Sequence, residues 1–177
     1  VRRHVFVSSA AGLVLQLDYD SRELQGVFRL HDGAINCIAV NEGFCVTGAE
    51  DKFLRVWPLD FTDYFLEAQH EGPVNSVDVS ADGLKIAVGT RNGLIGMLDV
   101  ATHRYSTMIR SHTAKIHSVD VNLEHGECAT VSSDGTIRVW GLECAEQRYQ
   151  FDIPDEVSRC VAYHPSPSEL TLACGFD

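Results

Sequence analysis

The sequence predicts an all-β fold made of repeated four-stranded units, and three observations predict it. Short segments rich in Val, Ile and Thr recur along the chain: INCIAV, FCVTGA, FLRVW, VNSVDVS, KIAVGT, LIGMLDV, IHSVDVN, ECATVSS and TIRVW. The turn clusters NEG, ADG, RNG, EHG and SDG separate them, and no window carries a helical period over three turns. Three stretches open alike, at His31 in HDGAINCIAV, His70 in HEGPVNSVDV and His112 in HTAKIHSVDV, a period of about 40 residues. Four strands per period of that length is the pattern of a β-propeller blade.

The elements follow in order. The first residues, VRRHVFVSSAAGLVLQLD, set basic residues before an apolar run, as a signal peptide does. The run alternates and contains Gln16 and Asp18, so it reads as strand. After each of the three histidines come a strand, a turn, a second strand, another turn and a third strand. The third strands align as DKFLRVW, NGLIGML and DGTIRVW, and fourth strands YFLEAQ, YSTMIR and QRYQFDI lead to the next unit. The last segment begins IPDEVSRCVAYHPS, with Pro154 near the place of the histidine, and reaches Asp177, close to the next turn Asp, without a third strand. The whole of 1–177 therefore reads as part of one propeller, with repeats at about 1–30 (partial), 31–69, 70–111, 112–153 and 154–177 (partial).

Composition narrows the function. With 45% apolar and 22% charged residues, the chain has the make-up of a water-soluble globular domain, and it carries no apolar run long enough to cross a membrane as a helix. A net charge of −11 argues against nucleic acid, which needs a basic stripe. The cysteines Cys37, Cys45, Cys128, Cys144, Cys160 and Cys174 form no C-x-x-C pair and mostly sit among apolar neighbours, the pattern of buried reduced thiols rather than a zinc site. No phosphate-binding glycine loop and no G-x-S-x-G elbow is present, so no cofactor is expected.

His31, Asp51 and Trp57 in one repeat, and His112, Asp134 and Trp140 in another, make the sequence resemble the WD-repeat family over essentially its whole length. The resemblance implies a buried hydrogen-bonded set in each faithful blade: His31, Thr47, Asp51 and Trp57, then His112, Thr130, Asp134 and Trp140. A Ser/Thr–His–Asp set also resembles a nucleophilic triad, but one that recurs blade after blade suits a structural lock better than a single active site. The 70–111 repeat departs from the pattern, with Asn92 for Asp and Leu98 for Trp, and is expected to be held more by packing than by hydrogen bonds. The opening segment departs too, with Ala11 and Leu17 at those places. The tripeptide HDG at 31–33 is expected to be a blade-opening loop rather than a metal site.

The resemblance also implies that function lies in recognition. In similar proteins contact positions fall three and five residues after the opening histidine and one before the turn Asp. Here these are Ala34, Asn36 and Glu50; Pro73, Asn75 and Arg91; Lys115, His117 and Ser133. Arg91 and Lys115 put positive charge on an acidic chain. The aromatics Phe61, Tyr64 and Phe65 in PLDFTDYFLE are expected to cover a blade edge. Stretches such as GFCVTGAEDKFLRVWPLDF and EAQHEGPVNSVDVSADGL resemble a branch of large multi-propeller members associated with centriolar and ciliary microtubules. That implies a non-enzymatic scaffold of the cytoplasm and cytoskeleton, at the centriole, centrosome or cilium, whose partners are proteins, centriolar or axonemal microtubule-associated ones among them. Tubulin surfaces are also acidic, so a protein partner is expected rather than the bare lattice. The alternative is a peptide-recognition adaptor such as a ubiquitin-ligase substrate receptor.

Three complete repeats with fragments leave blade faces without a neighbour. The segment purified alone is expected to bind ANS strongly or to aggregate; a sharp, cooperative melt of the monomer is the contrary result.

Overall fold

The computed structural model describes residues 3–108, 111–143, 146–166 and 169–177. Cys144, the end of YSTMIR and part of HPSPSE lie outside them. The described residues form strands β1 His4–Ser8, β2 Leu13–Asp18, β3 Leu24–Arg29, β4 Ile35–Val40, β5 Phe44–Ala49, β6 Phe53–Pro58, β7 Leu66–Gln69, β8 Val74–Val79 and β9 Lys85–Thr90. They continue as β10 Ile95–Asp99, β11 Arg104–Met108, β12 Ile116–Asn122, β13 Glu127–Ser132, β14 Thr136–Gly141, β15 Gln147–Asp152, β16 Ser158–Tyr163 and β17 Leu172–Phe176. No helix occurs among them, and β1 begins at His4.

The strands pair in chain order as antiparallel meanders. Three sheets have four strands (β4–β7, β8–β11, β12–β15), flanked by a three-stranded sheet β1–β3 and a two-stranded sheet β16–β17. They do not close into a barrel; they are blades of a partial propeller, stacked face to face.

The stacking follows from the sequence. In an antiparallel sheet with one wet face, alternate residues point to water. Here the second strands FCVTGA and ECATVS are buried at every position, and KIAVGT at all but its first. Both faces of these sheets are therefore covered. The apolar clusters lie between successive sheets. Val46, Leu54 and Val56 meet Val74, Ile86, Val88 and Leu98. Ala87, Ile95 and Met97 meet Ile116, Val119, Cys128 and Trp140. Val14 and Leu30 meet Cys45, Trp57 and Phe61, and Val131 and Val139 meet Val161. Glycines set the spacing: a Cβ at Gly48 would come within 2.9 Å of the Val74 Cβ, and one at Gly89 within 2.6 Å of Ile116.

The first strands of successive blades lie against each other, and polar side chains tie them. Val119 N–H donates to Ser76 Oγ (3.0 Å), Val121 N–H to Asp78 Oδ2 (2.7 Å) and Tyr163 N–H to Asp120 Oδ2 (2.6 Å). Burial, with Asp120 beside it, pushes the Asp78 carboxyl well above the usual carboxylate range. Between pH 3.8 and about 6 the folded chain thus holds a proton there that the unfolded chain has released. That contribution to stability declines as pH rises from the ordinary value of 3.8 through the raised one. Asp78→Asn keeps an acceptor for Val121 and gains a donor for Asp120. It is expected to raise stability at pH 7.5 by roughly 1 kcal/mol, with the gain closing toward pH 5. Denaturant melts of both proteins at the two pH values check it; an equal difference at both would count against the proton held by Asp78.

Candidate functional site

Two four-residue sets have one geometry. The His31 ring Nδ1 bonds Asp51 Oδ2 at 2.9 Å, its Nε2 lies 2.7 Å from Thr47 Oγ1, and Trp57 Nε1–H donates to that same hydroxyl at 2.9 Å. In the other, His112 Nδ1 to Asp134 is 2.9 Å, Nε2 to Thr130 2.8 Å and Trp140 to Thr130 2.9 Å. The partners assign the protons. The carboxylate takes Nδ1–H, so Nε2 accepts the Thr hydroxyl proton, and the Thr oxygen accepts from the indole. Each imidazole is neutral, and burial lowers the pKa of both rings against the raising effect of Asp51 or Asp134. Burial works to raise the Asp134 carboxyl too, but the Thr136 hydroxyl, the Thr113 N–H and His112 hold it down to about 2. Both Thr residues are fully buried, so neither hydroxyl meets a substrate.

The middle blade uses different contacts. Its Thr90 hydroxyl bonds Asn92 Oδ1 (2.5 Å) and the Leu94 carbonyl (3.0 Å) within the turn. His70 Nε2 accepts instead from the Tyr105 hydroxyl, which reaches in from the fourth strand β11, while its Nδ1 has no hydrogen-bond partner among the described residues. Gly96 makes this possible. It stands where the faithful blades carry Arg55 and Arg138, and any Cβ there would overlap the Tyr105 ring. This blade therefore retains a polar core contact, built from another strand.

The nine candidate contact residues fall into three groups, each held together by the backbone. Glu50 N–H donates to Ala34 O, Arg91 N–H to Pro73 O and Ser133 N–H to Lys115 O, each at 2.9 Å. Asn36, Asn75 and His117 have a shared origin as well. Pairing shifts between Ile35 and Cys37, between Val74 and Ser76, and between Ile116 and Ser118, so each is the extra residue of a β-bulge. A bulge re-aims its side chain and strengthens the local twist. Here the asparagines turn toward the next blade: Asn36 Nδ2 donates to Val74 O and Asn75 Nδ2 to Ile116 O, both at 2.8 Å. Glu50 and Arg91 form an ion pair between neighbouring blades. His117 Nε2 lies 2.6 Å from Ser133 Oγ and 3.1 Å from Arg159 Nη1.

Register adds a fourth group that sequence reading missed. The bulge recurs between Ser158 and Cys160, so Arg159 is its extra residue; Asp177 pairs as Ser133 does, and its N–H bonds Val157 O at 3.2 Å. The signal was obscured because Pro154 stands where a histidine would set the count. Asp177 is thus one residue short of the turn-Asp position.

Phe61 is buried between the rings of Phe6 (5.3 Å) and Phe28 (4.8 Å), joining the first sheet to the second. Tyr64 and Phe65 rest edge-on against Trp57 and Phe44 and stay about half exposed. Among the described residues all cysteines are free thiols, and burial pushes Cys37, Cys45 and Cys128 up to about 12; Cys160 is exposed. No cluster of three or more His, Cys, Asp or Glu side chains placed to hold a metal occurs among the described residues.

Comparison with known proteins fits this architecture. The family model described as "WD domain, G-beta repeat" matches residues 22–58, 64–97 and 103–141. The chain belongs to the WD40 repeat family. It is 49% identical over 97% of its length to Centriole proteome protein 16 of Chlamydomonas reinhardtii. It is 39% identical over 98% of its length to WD repeat-containing protein 90 of Xenopus tropicalis, and 43% identical over 81% to the human protein of that name. It spans 8–10% of the length of each of these relatives. A lower similarity, 25% over 60% of the chain, extends to Cilia- and flagella-associated protein 52 of Mus musculus.

Asp134→Ala removes the acceptor of the His112 ring and two backbone N–H groups at once. It is expected to cost about 2–4 kcal/mol of stability. Both histidines resist protonation when folded, so wild-type stability declines as pH falls below 6.5. The carboxylate contribution is lost lower, between 3.8 and about 2. Denaturant melts check the loss; an unchanged melt with loss of a specific activity would overturn the structural reading.

Proposed function

We propose that this chain is a non-enzymatic scaffold module that holds protein partners at centriolar or ciliary microtubules. The observation that carries the reading is the 49% identity, across nearly the whole chain, to Centriole proteome protein 16. The fold class supports it, since WD40 propellers are in general protein-interaction folds. The buried, repeated His–Thr–Asp sets support a structural role over a catalytic one.

The contact surface of this reading is the face carrying Ala34, Asn36, Glu50, Pro73, Asn75, Arg91, Lys115, His117 and Ser133, extended by Val157, Arg159 and Asp177. The acidity of the chain favours a protein over nucleic acid, and no described helix is long and apolar enough to cross a membrane. Proximity labelling from the full-length protein is the test. Centriole and cilium components are the expected neighbours. Labelling dominated by ubiquitin-ligase subunits would replace the scaffold reading with the adaptor one.

A further inference from the structure

Charges on the bulge face are unevenly matched. Arg91 is neutralised by Glu50 of the preceding blade. One blade further on, Arg159 contacts the His117 ring and Lys115 stands two residues before it in the chain. Asp177 pairs with Arg159 through Nε (2.7 Å) and Nη2, and no described residue pairs with the Lys115 ammonium. The contacts of Arg159 with Asp177 and His117 use three of the donors of its five-donor fork. The cluster thus carries a positive charge in excess of its carboxylate, on a chain whose net charge is −11.

His117 reports the imbalance. Burial lowers its pKa first, then Arg159 and Lys115, against the weaker pull of Asp177. The groups around it are Lys115 at the head of its own strand, Arg159 and Asp177 from the last sheet, Ser133 from the turn after β13, and the Asn75 amide of β8 beside Ile116. An anion seated among them would relieve the repulsion, and a protonated His117, donating from Nε2 to Ser133 Oγ, would free that hydroxyl to donate to the anion. Just outward, a groove of about 570 Å³ opens at Ser133 and is lined by Asp152, Asp155 and Glu156. That neighbour repels a long polyanion but tolerates basic or neutral residues on either side of a single carboxylate.

We infer that Lys115, His117, Ser133 and Arg159 form an acceptor for a carboxylate side chain of a partner protein, within a segment whose flanking residues are basic or neutral. The inference rests on the interaction reading above only in taking the partner to be a protein.

The test uses the full-length protein that contains this chain, tethered at low density to a biosensor surface. The probes are the acetylated, amidated peptide Gly-Lys-Gly-Glu-Gly-Lys-Gly and its counterpart with Gln for Glu. The Glu peptide is expected to bind roughly three- to tenfold more tightly. Lys115→Glu and Arg159→Glu should abolish that preference. Arg104→Glu, the same change of charge on the exposed outer strand β11, should preserve it. On the wild-type chain the preference should grow from pH 8 to pH 6, because a protonated His117 adds positive charge, and His117→Gln should remove that growth. Equal binding of the two peptides to the wild-type chain would overturn the inference, whether or not the variants fold. So would an equal effect of all three charge reversals, or tighter binding of hexaglutamate or single-stranded DNA. None of these outcomes would alter the proximity-labelling result, so this acceptor site and the scaffold reading can fail separately.

Discussion

Burial of both sheet faces is the constraint on which the rest depends. A strand buried at every position, as FCVTGA and ECATVS are, cannot belong to a sheet standing alone. Each blade needs a neighbour on either side, and each apolar cluster is shared between two sheets rather than enclosed by one. Stability in such a stack is a sum of blade terms and interface terms, with little contribution from distant contacts. The polar bonds from Ser76, Asp78 and Asp120 to the next first strand add direction to an interface that apolar packing leaves free to slide. They also place the Asp78 carboxyl where burial, with Asp120 beside it, disfavours its ionisation, so the same joint that aligns the blades is sensitive to acidity.

Within a blade, the problem is the edge between the opening loop and the third-strand turn. The faithful blades close it with an imidazole that bridges carboxylate and hydroxyl, and an indole that donates to the hydroxyl oxygen. Every polar group in that chain is satisfied, which is why it can be buried. The middle blade solves the problem with fewer partners. Its three departures are coupled: Leu98 removes the indole, Asn92 turns to Thr90, and Gly96 vacates the space that Tyr105 enters to reach His70. The unsatisfied Nδ1 of His70 is the cost that remains.

Strand positions and blade period were legible because they rest on local chemistry, alternation and turn residues; the two faithful locks were legible through the family resemblance carried by His31, Asp51 and Trp57 and by His112, Asp134 and Trp140. Two features were not. The Tyr105 contact depends on a missing side chain, Gly96, meeting a fourth-strand residue, and nothing in either segment alone marks it. The last group, Val157, Arg159 and Asp177, follows from strand register. A bulge leaves no compositional mark, and counting from an opening histidine fails where Pro154 replaces it. The expectation for PLDFTDYFLE was coarse for a similar reason: only the positions of Phe6 and Phe28 decide that Phe61 is the buried ring of the three.

The bulge residues join architecture to recognition. Asn36 and Asn75 bind the next blade's backbone, so a change of chemistry there would loosen the joint as well as the surface. At His117 and Arg159 the same position carries ionisable groups that bond each other across the blades instead of a carbonyl. A bond between side chains can open or re-form around a third group with the strands in place; a bond to a backbone carbonyl fixes the strand itself. Among the bulge residues, adaptable chemistry is therefore concentrated toward the last blades, and the asparagine joints supply the rigid frame against which it is held.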